Sequence, residues 1–104
     1  MKVVNNVEFN EITKEGIVLV DFFANWCGPC KALAPVLEEL SSQYPNIEFI
    51  KVDVDESEEL AEQFNIMSIP TIYILKDGKA VARTGGFKEL NSMKEFIDDT
   101  LNKL

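Results

Sequence analysis

The chain has 104 residues, close to the usual size of a single domain and too short for two of ordinary size. Hydrophobic residues make up 46% and charged residues 27%, with five Gly and four Pro; this is the composition of a soluble globular protein and excludes a disordered, collagen-like or coiled-coil chain. Ten Lys and Arg against 18 Asp and Glu give a formal charge of -8, and there is no histidine. The acidic balance argues against nucleic acid or an anionic membrane as partner, and the missing His removes His-dependent triads and imidazole metal sites. Thiols, carboxylates and lysines remain to carry any chemistry.

Val3 and Val4 predict a short first strand. Asn6 then caps a short helix bearing Val7, Phe9 and Ile12 and closed by Gly16. The run from Ile17 to Ala24 is apolar on both alternate faces apart from Asp21, which predicts a central strand covered by helices on both sides. From Cys30 to Tyr44 the residues Leu33, Ala34, Leu37 and Leu40 recur at helical spacing. Pro35 interrupts that helix and removes one backbone donor. Ile47 to Val54 reads as a strand, and Asp55 caps a helix through Leu60, Ala61 and Phe64. Thr71 to Leu75 is a further strand, turned at Asp77-Gly78 into an antiparallel partner from Ala80 to Thr84. Leu90, Met93, Phe96, Ile97, Leu101 and Leu104 make the apolar stripe of a C-terminal helix.

These elements predict an α/β fold, a central mixed five-stranded sheet with helices on both faces, with parallel crossovers early and a hairpin late. No repeat or linker divides the chain, so residues 1–104 are expected to form one domain. The amino-terminal residues form no secretory or transit segment, and no apolar run approaches the roughly 20 residues that span a bilayer. The expected location is the cytoplasm, where two cysteines are poor candidates for a permanent structural bridge.

The central strand runs directly into Asn25-Trp26-Cys27-Gly28-Pro29-Cys30, where the next helix begins. A thiolate at Cys27 is favoured there, because unpaired N–H groups and the helix dipole stabilise an anion. Gly28 permits a tight turn and Pro29 is preorganised for a first helical turn. Bringing a thiol from about 8.5 to near ambient pH raises its thiolate fraction from roughly 3% to about half, at roughly a fivefold loss of intrinsic reactivity. The net gain is only about threefold, so the larger contribution is the intramolecular position of the second thiol. A zinc site normally takes four ligands, and one Cys pair without His falls short; a purely structural pair is the other bland reading. Redox chemistry fits best. Asp21 is expected to be buried whichever way it points, with a raised pKa and a capacity to exchange the Cys30 proton; a hydrogen-bonded structural Asp is its alternative.

Val20 to Lys31, with Ala34-Pro35, Lys51-Val52-Asp53, Ser68-Ile69-Pro70-Thr71 and Gly86, resembles the thioredoxin family in order and spacing over nearly the whole chain. The resemblance implies the thioredoxin fold and a dithiol/disulfide oxidoreductase that reduces protein disulfides. It makes Cys27 the attacking nucleophile and Cys30 the resolving thiol, together the redox-active disulfide. It gives Asp21 the proton-transfer role and places Lys51 beside it, although a solvated strand-end lysine reads equally well from sequence. It implies a cis Ile69-Pro70 bond facing the cysteines, where sequence statistics alone favour trans.

Trp26, Gly28, Pro29, Ile69, Pro70 and Gly86 would then form an apolar docking surface, with Ile69 backbone groups free to bond an extended substrate segment. The implied partners are a thioredoxin reductase as electron donor, commonly a flavoprotein using NADPH and in some systems ferredoxin-linked, and disulfide-containing proteins. No bound cofactor, no metal and a monomer are expected. Phe23, Asn25 and Phe87 depart from common family residues: Phe23 replaces a frequent second Trp, and Phe87 puts a bulky ring where a small residue is common. A structural or chaperone subunit is the rival from another class, and an oxidase or isomerase the rival within redox chemistry.

Overall fold

In the computed structural model, which describes residues 1–104, the doubly apolar run predicted as the central strand is buried on both faces in the middle of the sheet. The elements are β1 (Lys2–Val3), α1 (Asn6–Thr13), β2 (Ile17–Phe23), α2 (Gly28–Ser41), β3 (Ile47–Asp53), α3 (Glu58–Gln63), β4 (Thr71–Lys76), β5 (Lys79–Gly85) and α4 (Leu90–Asn102). The strand order is β1-β3-β2-β4-β5. β1 and β2 pair with β3 in parallel, while β4 pairs antiparallel with both β2 and β5. This is the expected mixed sheet, and its polarity follows from connection length: helices bridge the parallel strands, and a two-residue turn joins β4 to β5.

Both faces of β2 are buried for a visible reason. Leu19 packs with Leu33, Leu37 and Leu40 of α2 and Met93 and Ile97 of α4. Val18, Val20 and Phe22 point the other way, against Phe9 of α1 and Leu60 of α3. Each such side chain, taken fully out of water, contributes about 1.5–3 kcal/mol. By the two-residue alternation of a strand, Asp21 and Phe23 lie on the Leu19 face, beneath α2.

Three local expectations shift. The cap of α1 is Asn5 rather than Asn6: Asn5 Oδ1 accepts the Glu8 N–H at 2.9 Å and Glu8 Oε1 accepts the Asn5 N–H at 3.1 Å. Only this register sets a Glu three residues after the cap, which completes a capping box. α2 begins at Gly28 and ends at Ser41, continuing through Pro35. Ser57, not Asp55, precedes α3; the turn before it is held by Asp53, whose Oδ1 accepts the N–H groups of Asp55 at 2.9 Å and Glu56 at 3.4 Å. At the β4–β5 turn Asp77 and Gly78 both have positive φ, 50° and 84°, the geometry that suits the twist of a hairpin.

Candidate active site

β2 delivers the chain to Ala24, and a bend through Asn25 and Trp26 returns it to the start of α2, the Cys27 N–H donating to the Ala24 carbonyl at 3.2 Å. Cys27 is the N-cap of α2, in extended conformation, and its Sγ accepts the Cys30 N–H at 3.2 Å. The sulfur thus takes the place that Ser, Asp or Asn usually fills at a helix start, satisfying one of the unpaired donors there. Negative charge on Sγ would meet that donor and the positive end of the helix dipole. Cys27 and Cys30 are joined as a disulfide with their Cα atoms 5.3 Å apart.

Exposure does not separate the two thiols as the sequence led one to expect, since each residue is 4% exposed in the disulfide. Surroundings do separate them. Cys27 Sγ lies 3.8 Å from the Ile69 carbonyl oxygen, on the side where Ile69-Pro70 is cis. Cys30 lines a pocket of about 200 Å³ with Phe23, Asn25, Lys31 and Lys51. A thiol at Cys27 therefore faces a backbone edge, and one at Cys30 shares a pocket with Lys51 of β3.

Asp21 is completely buried, and neither carboxylate oxygen has a hydrogen-bond partner. Burial pushes its carboxyl up to about 6 from 3.8, an effect the positive charge of Lys51 partly offsets. Lys51 is its cross-strand partner in the β2–β3 register. The lysine makes no ion pair with it; its Nζ instead stands 4.3 Å from the centre of the Phe23 ring. A carboxyl that titrates near neutrality in a site otherwise lacking an acid–base group can accept and return protons at physiological pH.

Trp26 is 71% exposed, which excludes core packing as its role. Its Nε1–H donates to Asp55 Oδ2 at 2.9 Å, and the ring forms one wall of an apolar groove of about 390 Å³ with Val54, Ala61, Ile66, Met67 and Ile69. Gly28 and Pro29 are exposed beside it, and space is open where a Cβ on Gly28 would stand. Pro70 is buried, so it supports this surface from below; its carbonyl accepts the N–H of exposed Gly86 at 2.9 Å. Gly86 has φ of 80°, a conformation that favours glycine. The sequence reading missed Met67, 81% exposed, and Asp55 as the anchor of Trp26. An exposed Met two residues before the Ile-Pro step was the available signal for the first. The broadest hollow, about 600 Å³ near Asn5 and the Asp55–Glu59 stretch, contains no cysteine and is lined by polar side chains apart from Val7. No group of three His, Cys, Asp or Glu residues is arranged to hold a metal ion, and no helix is long and apolar enough to cross a membrane.

A cysteine pair at the N-terminus of the helix that follows the central strand, set against a cis-proline loop in a five-stranded mixed sheet, defines a thiol–disulfide oxidoreductase of the thioredoxin fold. The Thioredoxin family model matches residues 1–99. Thioredoxin of Chlamydia trachomatis serovar D is 46% identical over 97 residues, 93% of this chain and 95% of that protein. Thioredoxin of Bacillus subtilis strain 168 is 47% identical over 94 residues, 89% of this chain and 90% of that protein. The solved structure of Plasmodium falciparum thioredoxin matches with a TM-score of 0.88 at 43% identity, over 94% of this chain and 96% of that one. The chain belongs to the thioredoxin family. It is a protein-disulfide oxidoreductase whose dithiol is regenerated by a separate reductase, as in other thioredoxins.

Proposed function

We propose that the reaction starts at Cys27 and is resolved by Cys30. The Cys27 thiolate attacks one sulfur of a substrate disulfide; a Cys27–substrate bond forms, the substrate S–S bond breaks, and the departing thiolate takes up a proton. Cys30 then loses its proton and attacks Cys27 Sγ, releasing the second substrate thiolate and leaving the Cys27–Cys30 disulfide. Two electrons pass to the substrate, and thioredoxin reductase restores them. The observation that carries the assignment is the Cys30 N–H bonded to Cys27 Sγ at 3.2 Å at the head of α2, because it stabilises charge on Cys27 and on no other sulfur.

Asp21 is the acceptor and donor of the Cys30 proton, directly or through water, and Lys51 moderates its charge. Trp26, Gly28, Pro29, Ile69 and Gly86, with Pro70 beneath, form the docking surface for disulfide-bearing proteins, whose extended segment bonds the Ile69 backbone. Residues 1–104 act as one domain, a cytoplasmic monomer that needs no bound cofactor and engages neither nucleic acid nor membrane. Insulin reduction driven by dithiothreitol tests the assignment: Cys27→Ser should be inactive, and Cys30→Ser should accumulate covalent substrate adducts in a host lysate. Activity retained in Cys27→Ser overturns the order of attack. An inactive wild type would favour a structural or chaperone subunit.

A further inference from the structure

Lys51 is the cation nearest to the carboxyl proposed to move the proton, yet the two form no ion pair. On the α2 face of the sheet, β2 carries Asp21 and Phe23 while β3 carries Lys51 and Asp53, with Asp21 opposite Lys51 and Phe23 opposite Asp53. The ammonium is drawn one residue pair along, to within 4.3 Å of the Phe23 ring centre. An aromatic face attracts a cation at that distance through its quadrupole. Phe23 itself is 7% exposed and packs against Cys27 and Cys30, so the ring has little freedom to follow the lysine.

We propose that Phe23 is a positioning residue: its ring holds the Lys51 ammonium at a fixed remove from Asp21, close enough to act on the carboxyl through space and too far to bond it. The arrangement keeps both Asp21 oxygens free for a proton, whereas a direct ion pair would occupy them. The other groups on this face are few. Asp53 is engaged by the N–H groups of Asp55 and Glu56, α2 presents Cys30 and, at the pocket edge, Lys31, and β4 and α4 present Ile72, Ile74, Met93 and Ile97.

The proposal rests on the reading of Asp21 as proton carrier only for its effect on turnover. The placement of charge is tested separately, by following the Asp21 side-chain carboxyl carbon by NMR as the reduced full-length protein is titrated. In Lys51→Met the Asp21 midpoint should rise by about one pH unit, whereas in Phe23→Leu it should fall by about half as much, as the released ammonium closes on the carboxylate. Phe23→Tyr, which keeps the ring face, should leave it in place. In the Lys51→Met background Phe23→Leu should add nothing, because the charge it positions is gone. Should Phe23→Leu fail to fold, trifluorinated phenylalanine at position 23 keeps the shape, weakens the ring face, and should reproduce the fall. A Phe23→Leu shift that persists without Lys51, a rise in Phe23→Leu, or no shift overturns the proposal. Normal turnover in Asp21→Asn alongside an intact Lys51 coupling would overturn the proton-carrier reading alone.

Discussion

Two carboxylates are buried on the α2 face of the sheet, one in the middle of β2 and one at the end of β3, and they are equipped in opposite ways. Asp53, 6% exposed, accepts the backbone N–H groups of Asp55 and Glu56 and, at 3.4 Å, the Asn25 side chain. Asp21, 0% exposed, accepts nothing. A buried polar group normally finds partners, because leaving it unmet costs about 1–3 kcal/mol. Asp53 obeys that rule and holds the turn into α3. Asp21 breaks it on the strand that leads into the cysteine pair, and its lack of partners fits the proton-carrier role proposed for it.

The largest expected contrast is in stability against pH. The Asp21 carboxyl keeps its proton to about 6 in the fold and to 3.8 as its ordinary value, so the native chain binds that proton more tightly than the unfolded one. Stability from this group is fully present below about pH 4 and is lost as pH rises through about 6, by about 3 kcal/mol in all. Urea unfolding of oxidised wild type and Asp21→Asn at several pH values should give a difference curve with that slope. The variant should be the more stable at pH 7, and a flat difference would remove the raised carboxyl from the account.

Asp53→Ala should act in the opposite direction, lowering stability by about 2 kcal/mol as two turn N–H groups lose their acceptor. The same unfolding assay reads it, and a stabilising effect would erase the distinction between the two residues. The smallest effect belongs to Asp55→Ala, which releases the Trp26 indole at an exposed bond. It should change stability by less than about 1 kcal/mol while altering Trp26 fluorescence and raising KM for a protein disulfide. Unchanged fluorescence would mean that the Trp26–Asp55 bond does not hold the ring in solution.

Much of this contrast was legible in the residues. The doubly apolar run of β2 made Asp21 conspicuous, and its two-sided burial needed no knowledge of register. Cys27 and Cys30 declared themselves by their place between strand and helix. Asp53 did not, because its acceptor role depends on a turn whose geometry is set by three consecutive residues rather than by a periodic pattern. The cap at Asn5 was readable from Glu8 three positions on, but adjacent Asn residues offered two registers and only one completes the box. Lys51 was ambiguous between a strand-end lysine and a partner of Asp21, and the structure supplies a third arrangement, over Phe23, that only cross-strand register could reveal. The cis bond at Ile69-Pro70 came from family resemblance, since local sequence favours trans.

The central claim is that Asp21 handles the proton of Cys30, and the pH dependence of disulfide reduction measures it most directly. Insulin reduction by wild type and Asp21→Asn is to be compared from about pH 5 to 9. The account predicts that the wild-type rate carries a limb near the Asp21 midpoint, about 6, and that Asp21→Asn lacks this limb and turns over roughly tenfold or more slowly, with its fold intact. Superimposable profiles at equal rate would contradict it.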